Sequence, residues 1–213
     1  MAPTIVRDGQ FRLFFFSEAR WRQLAVKRCA ILRFRGDDQM ERQQENIWMD
    51  KAFLRENMMG PNCVRILEEL VTGISFKQEM RLLDLGCGKG LTSLFLAKKF
   101  KATVFATDLW ISATENLRRF EMCKMADIII PIHADAQTLP YGEGYFDAVV
   151  SVGAYDFFGA KPGFIDEKIV PLVKSGGIIA VAVSGLKQEF TDGVPEALRP
   201  FWQEDINFHS AKW

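Results

Sequence analysis

From residue 50 onward, short apolar runs alternate with stretches in which apolar residues recur at helical spacing. The apolar runs predict five strands, at residues 81–85, 103–107, 127–132, 146–152 and 177–183. The stretches between them predict helices at residues 91–100, 111–125 and around 162–173. Two further helices are expected before the first strand, one capped by Asp50 and one after Pro61. Strands that alternate with helices favour a doubly wound α/β fold with a mainly parallel sheet.

The first 45 residues follow a different pattern and are predicted to form an N-terminal extension ahead of a domain at residues 46–213. Residues 5–7 and 11–16 have strand-like patterns on either side of Asp8-Gly9, which predicts a β-hairpin. Residues 1–17 resemble the start of a small bacterial domain family of unknown function. The histidine-containing segment that follows in that family is absent here, so the opening segment is interpreted as a fragment joined to another domain.

The most specific signal is the segment Asp84-Leu85-Gly86-Cys87-Gly88-Lys89-Gly90, which connects a predicted strand to a predicted helix. Glycines at such a turn permit positive φ and let a ligand approach the backbone, while the helix N-terminus offers free N–H groups. A nicotinamide dinucleotide site would favour a third glycine where Leu91 stands. A nicotinamide-dependent oxidoreductase is therefore the least favoured interpretation.

An acidic residue two positions before the first glycine of a G-x-G-x-G loop is the pattern of class I methyltransferases. The chain resembles these enzymes across residues 50–210 and most closely across 81–183. Within the class, it is most similar to small-molecule enzymes such as those of ubiquinone and menaquinone biosynthesis. The resemblance implies a Rossmann-like fold, S-adenosylmethionine as cofactor and S-adenosylhomocysteine as product.

The same resemblance implies roles for individual residues in the cofactor site. Asp84 would orient the cofactor ammonium group, and Asp135 would meet the adenine amino group. Asp108, at the end of the second strand, would accept hydrogen bonds from the ribose hydroxyls, with a cap on the next helix as the alternative. The predicted cofactor-binding set is Asp84, Gly86, Cys87, Gly88, Gly90, Asp108, Leu109, Asp135, Ala136 and Ser151.

The acceptor site is predicted after the fourth strand, where Tyr155 and Asp156 are the candidate catalytic residues. Related enzymes carry an Asp and a Tyr-His pair in this region, whereas this chain has Gly153 and Asp156 at those positions. Asp156 is the candidate base, although an exposed carboxylate is a weak base unless it is buried. Tyr155 is expected to orient the acceptor, with core packing as the alternative. Residues 57–61 resemble the segment that closes over the cofactor, with helical packing as their alternative.

The segment after residue 183 contains Pro195 and Pro200 and gives no strand pattern. Class I methyltransferases usually end with a sixth and a seventh strand beside the fifth. We therefore expect a C-terminally truncated domain that lacks its last two strands. Its fifth strand would be an exposed edge, available for pairing with a second copy of the chain.

Composition narrows the range of partners and settings. Lys plus Arg and Asp plus Glu both number 27, so net charge does not favour nucleic acid. The 4 cysteines form no C-x-x-C pair, and with only 2 histidines there is no zinc pattern, so no metal is predicted. A reduced, cytoplasmic setting fits this cysteine usage. No apolar run approaches the roughly 20 residues that span a bilayer, so no membrane partner is expected.

The sequence thus predicts an S-adenosylmethionine-dependent methyltransferase that transfers a methyl group to a small-molecule acceptor by in-line displacement. In such a reaction, catalysis relies mainly on how the acceptor is positioned. The alternative is a non-catalytic or truncated S-adenosylmethionine-binding module. Binding of the cofactor without methyl transfer would indicate the binding module and not the enzyme.

Overall fold

A single sheet of seven strands forms the centre of the computed structural model, which describes residues 4–8, 11–16, 50–159, 161–186, 188–202 and 208–209. The strands are β1 (Thr4–Asp8), β2 (Phe11–Phe16), β3 (Arg81–Leu85), β4 (Thr103–Asp108), β5 (Ile129–His133), β6 (Phe146–Val152) and β7 (Val173–Ala182). Their order in the sheet is β1-β2-β7-β6-β3-β4-β5. The five strands from β3 to β7 are all parallel, which confirms the predicted doubly wound α/β fold.

The strand order reverses at β3, which has β4 on one side and β6 on the other. The chain first adds β4 and β5 on one side of β3 and then returns to add β6 and β7 on the other. In open parallel sheets, such a reversal leaves a crevice at the carboxyl ends of the central strands, because the connections on its two sides lead away from each other. This topology therefore places the loop after β3 beside the ends of β4 and β6.

The outer part of the sheet corrects one expectation from the sequence. Strand β2 pairs in parallel with β7, with Arg12 opposite Ile178 and Phe16 opposite Ala182. Strand β1 pairs antiparallel with β2 and forms the outer edge. The fifth strand of the parallel core is therefore not an exposed edge, because the N-terminal strands cover it. Beyond β7, the described residues 183–186, 188–202 and 208–209 contain no further strand.

Five α-helices are described, namely α1 (Lys51–Asn57), α2 (Cys63–Leu70), α3 (Leu91–Phe100), α4 (Ala113–Met122) and the single turn α5 (Tyr155–Phe158). As expected from the sequence, the Asp50 side chain caps α1 by accepting hydrogen bonds from two backbone amides. Ser112 and Glu115 form a capping box that starts α4 two residues later than predicted. None of the described helices has the length and apolar character needed to cross a membrane.

The segment predicted as a helix around residues 162–173 takes a different form. It consists of a π-helical turn, Ile165–Ile169, and a 3-10 turn, Val170–Leu172. Pro171 lies within the second turn, and proline has no backbone N–H with which to continue a helical hydrogen-bond ladder. Strand β7 consequently begins at Val173, before the predicted position.

Two apolar clusters cover the faces of the sheet. Leu82 belongs to one cluster and its neighbour Leu83 to the other, because successive strand residues point to opposite faces. Helices α2 and α3 pack in the first cluster, which includes the fully buried Leu67 and Leu94. The second cluster contains Phe146 and residues of the π-helical segment. A sheet packed on both faces holds the ends of its strands in fixed relative positions.

Candidate active site

A cavity of about 590 Å³ opens at the carboxyl ends of the central strands. Leu85, Asp108, Val152 and Ala182, from the ends of β3, β4, β6 and β7, all contribute to its wall. The loop after β3 and the segment between α1 and α2 close it from other directions. The cavity therefore lies at the point where the order of the strands reverses, the usual place for ligands in this kind of sheet.

The loop between β3 and α3 requires its glycines. Gly86, Gly88 and Gly90 have φ angles of 73°, 55° and 80°, a region that other residues rarely adopt. A Cβ at Gly86 would overlap the Cβ of Ala154, and one at Gly88 would lie 2.9 Å from the Met59 sulfur. Gly86 and Gly88 line the cavity, whereas Gly90 caps α3 and packs against the ring of Phe120. The loop thus presents backbone to the cavity and leaves no space for a side chain at Gly86 or Gly88 without displacing Ala154 or Met59.

Asp108 is buried at the end of β4 and holds this loop in place. Its Oδ2 accepts a hydrogen bond of 2.8 Å from the Gly88 amide, and its Oδ1 accepts from the amides of Trp110 and Ile111 at 2.8 and 2.9 Å. Helix α4 is capped by Ser112, so the alternative role of Asp108 as its cap is wrong. The carboxylate faces the cavity in an orientation set by three backbone donors.

The structure places Asp84 behind the cavity wall rather than in it. The side chain is 1% exposed, and its Oδ2 accepts hydrogen bonds from the hydroxyls of Thr92 and Ser93 at 2.6 and 2.5 Å. Burial raises the pKa of this carboxyl to about 6, against the lowering effect of the two hydroxyl donors. Asp84 therefore joins β3 to the first turn of α3, and Thr92 is the member of this group that lines the cavity.

The remaining predicted cofactor residues divide into two groups. Cys87, Leu109 and Ala136 line the cavity together with the glycines and Asp108. Asp135 and Ser151 are not part of the lining: the Asp135 carboxylate accepts a hydrogen bond from the Gln137 amide in a turn, and Ser151 is 1% exposed within β6.

The two candidate catalytic residues have different environments although they are neighbours on α5. Asp156 lines the cavity, is 8% exposed, and has a buried Oδ1 with no hydrogen-bond partner among the described residues. Burial raises the pKa of this carboxyl. Tyr155 lies outside the lining, with its ring packed against Phe158 and Phe164 at centroid distances of 5.7 and 6.1 Å. Only Asp156 is in a position to contact a ligand in the cavity.

A polar network that the sequence did not suggest connects α1 and α4 to the glycine loop. Arg119 donates hydrogen bonds to Asn57 at 2.9 Å and to Asn116 at 3.1 Å, and Asn116 donates to the Gly88 carbonyl at 2.9 Å. Asn57 also lines the cavity. The three-residue spacing of Asn116 and Arg119 on α4 is a sequence signal for a shared helix face, but it does not identify the partner on α1.

Two aromatic rings meet at the cavity above the end of β3. Trp110, after β4, and Phe157, after β6, contact each other edge to face with centroids 5.0 Å apart. Both line the cavity, and they are 64% and 47% exposed. Because β4 and β6 lie on either side of β3, this contact spans the glycine loop from one neighbouring strand to the other.

Part of the chain is similar to known methyltransferases. Residues 83–181 match the family model described as "Methyltransferase domain". The chain is 33% identical to the "Probable fatty acid methyltransferase" of Pseudomonas putida over 54% of this chain and 29% of that protein. It is 28% identical to the chloroplastic tocopherol O-methyltransferase of Arabidopsis thaliana over 67% of this chain and 42% of that protein. The chain thus covers less than half of the length of these curated relatives.

Among solved structures, the geranyl diphosphate C-methyltransferase of Streptomyces coelicolor has a similar fold. That structure contains S-adenosyl-L-homocysteine. The similarity has a TM-score of 0.57 at 15% identity and covers 76% of this chain and 59% of that one. At this identity the comparison shows the fold alone.

Proposed function

Because residues 83–181 match the family model of a methyltransferase domain, we propose that this chain is an S-adenosylmethionine-dependent enzyme that transfers a methyl group to a small-molecule acceptor. The observation that carries the proposal is the hydrogen bond between Asp108 and the Gly88 amide, inside a cavity at the reversal of strand order. This bond brings together the glycine loop after β3 and the acidic residue at the end of β4, the two features from which the sequence predicts a cofactor site. The fold alone would not carry the proposal, since one fold hosts many functions.

The residues around the cavity fit an S-adenosyl cofactor. Gly86 and Gly88 line the cavity with backbone in a positive-φ conformation, and the N-terminus of α3 favours a carboxylate group. The Asp108 Oδ2 can accept a ribose hydroxyl as well as the Gly88 amide, because it has two lone pairs and only one of them is used by the protein. Leu109 and Ala136 offer apolar surface for the adenine base. We expect Asp84 to act through Thr92 rather than by direct contact, since only Thr92 lines the cavity.

The chemistry that S-adenosylmethionine supplies is an electrophilic methyl group on a sulfonium. The nucleophilic atom of the acceptor attacks in line, and its bond to the methyl carbon forms as the methyl–sulfur bond breaks. The protein contributes by holding the acceptor on the far side of the methyl group and by excluding water. Asp156 is the candidate for receiving a proton from the acceptor, because it lines the cavity and burial raises its pKa.

The shape of the cavity supports a small acceptor. Its volume of about 590 Å³ lies in the range of small-molecule sites, and its wall includes segments from both ends of the described domain, such as Pro61 and Phe208. A cavity closed from several sides admits a small molecule more readily than a folded macromolecule.

A non-catalytic S-adenosylmethionine-binding module is the second candidate. It is favoured by the surroundings of α5, where Tyr155 is turned away from the cavity and no histidine is among the described lining residues. This candidate shares the cofactor site of the first but performs no transfer.

The first experiment titrates purified protein with S-adenosylmethionine and S-adenosylhomocysteine by calorimetry, with NAD as control and a thermal melt to verify folding. Micromolar binding of both sulfur nucleosides without binding of NAD is the expected result. A folded protein that binds neither would overturn the proposed function. Formation of S-adenosylhomocysteine from S-adenosylmethionine, measured with and without panels of small amines, phenols and acids, then separates the enzyme from the binding module.

A further inference from the structure

Three charged side chains line the described part of the cavity, and one of them has an unused buried oxygen. The Lys89 ammonium donates to the Glu56 carbonyl at 2.8 Å, and both Asp108 oxygens accept backbone amides. The Asp156 Oδ1 is buried without a hydrogen-bond partner among the described residues. A buried carboxylate oxygen that lacks a donor is costly, so a ligand that brings a donor to it gains binding energy.

The surface beside this carboxylate is aromatic and open. Phe157 follows Asp156 directly on α5, and its ring contacts that of Trp110. Both rings remain about half exposed or more, whereas most large apolar side chains of the described core are buried. Val183 and Phe208 extend the apolar lining. An ammonium group near an aromatic ring is attracted by the negative face of the ring.

We propose that the methyl acceptor is an organic amine, which directs its nitrogen toward Asp156 and packs its apolar body against Trp110 and Phe157. This inference rests on the proposed function and names the substrate class of the same site. An anionic acceptor would meet the Asp156 carboxylate with like charge. An alkyl alcohol would need a strong base before it could attack, and a carboxylate is a weak base. An amine nitrogen attacks with its own lone pair.

The cofactor, the amine and Asp156 together account for every bond and proton in the transfer. The bound ammonium first gives one proton to the Asp156 carboxylate. The neutral amine then forms a bond to the methyl carbon as the methyl–sulfur bond breaks, and sulfur keeps the bonding electron pair. The methylated nitrogen carries the positive charge away in the product, and Asp156 releases its proton to solvent. No oxidant or reductant takes part.

The test measures binding of three probes of matched size, namely 3-phenylpropylamine, 3-phenylpropan-1-ol and 3-phenylpropanoate, to protein saturated with S-adenosylhomocysteine. We expect the amine to bind about tenfold or more tightly than the other two, because a charge-assisted hydrogen bond is the stronger interaction. Asp156→Asn should reduce the affinity for the amine to about that for the alcohol. Asp127→Asn, which removes an exposed carboxylate before β5, is the matched control and should change none of the three affinities.

Trp110→Leu provides a second variant, which keeps the backbone amide that bonds to Asp108. It should weaken binding of the amine more than binding of the alcohol. The proposal is overturned if the natural chain binds the anion or the alcohol as tightly as the amine or more tightly. It is also overturned if Asp156→Asn leaves the affinity for the amine unchanged, or if the amine does not bind at millimolar concentration. The titration with S-adenosylhomocysteine reports separately on the proposed function. If S-adenosylhomocysteine does not bind, the same three probes are titrated into the protein without it, so that the amine site is tested independently of the cofactor site.

Discussion

The Asp108 carboxylate lies 2.8 Å from the Gly88 backbone nitrogen and joins the end of β4 to the loop after β3. The two residues are 20 positions apart in the chain. They meet because β3 and β4 are adjacent and parallel, so both strands deliver their carboxyl ends to the same edge of the sheet. The contact orients a negative charge toward the cavity before any ligand arrives.

Removing the charge of Asp108 should weaken cofactor binding. We expect Asp108→Asn to lower the affinity for S-adenosylmethionine by about ten- to a hundredfold, because a hydrogen bond to a charged group contributes roughly 1.5–3 kcal/mol. Calorimetry on the folded variant measures this, with Asp127→Asn as the control. An affinity equal to that of the natural chain would contradict the assignment of the ribose to Asp108.

The hydrogen bonds of Arg119 should control the position of α1. In Arg119→Met, the side chain retains apolar bulk but loses its donors to Asn57 and Asn116. We expect faster hydrogen exchange in residues 51–57 and an affinity for S-adenosylmethionine that is lower by about fivefold, since about one kcal/mol is a typical net contribution of a hydrogen bond. Arg118→Met, one position earlier on α4, is the control. Identical exchange in the two variants would show that the network does not hold α1.

Gly90 should be much less tolerant of a side chain than Gly144. Both have positive φ, 80° and 59°, but a Cβ at Gly90 would lie 2.5 Å from the ring of the buried Phe120, whereas nothing lies within 4 Å of one at Gly144. Each alanine variant carries the backbone strain of about 1 kcal/mol or more, and only Gly90→Ala adds steric overlap. Urea unfolding should show the larger loss of stability for Gly90→Ala. Equal losses would mean that the Phe120 ring moves aside freely.

The burial of Asp84 should make stability depend on pH. Its pKa is about 6 in the folded chain, and an unfolded chain releases the same proton near pH 4. The folded state therefore binds more protons between these values, so the contribution of Asp84 is fully present below about pH 4 and is lost as the pH rises through about 6. A shift of roughly two units corresponds to at most about 3 kcal/mol.

Comparison of the natural chain with Asp84→Asn isolates this effect. The difference in the free energy of unfolding between the two should change by about 1–3 kcal/mol from pH 4 to pH 7, with the natural chain losing relative stability as the pH rises. Other titrating groups contribute equally to both proteins and cancel. A difference that is constant over this range would contradict the raised pKa of Asp84.

The parallel core of the fold was predictable because its signals are local. Strands β3 and β6 have the predicted bounds, since each is a mostly apolar segment that is followed directly by a glycine. The pairing of β2 with β7 was not predictable, because nothing in residues 11–16 indicates which distant strand edge they join. The 3-10 turn at Val170–Leu172 contains Pro171, which lacks the N–H that a continuous helix would need, although the apolar spacing around it is helical.

The site was predictable where backbone geometry determines it and less so where side-chain direction does. The glycine loop and Asp108 lie where the motif and the strand end put them. The sequence does not show that Asp84 faces away from the cavity. It also does not show that residues 155–158 form a helical turn, on which Tyr155 and Asp156 point in directions about 100° apart. Asn57 and Arg119 meet only through tertiary packing.

The pairing of Phe16 with Ala182 also bears on how the chain is made. A ribosome synthesises β2 early and its partner β7 much later, so β2 cannot pair with β7 until the rest of the sheet has been translated. Residues 11–16 are almost entirely aromatic and aliphatic, the kind of segment that associates with other chains when left unpaired. Newly made chains should therefore depend on chaperones until residue 182 has left the ribosome, and the yield of folded protein should fall when synthesis outpaces them.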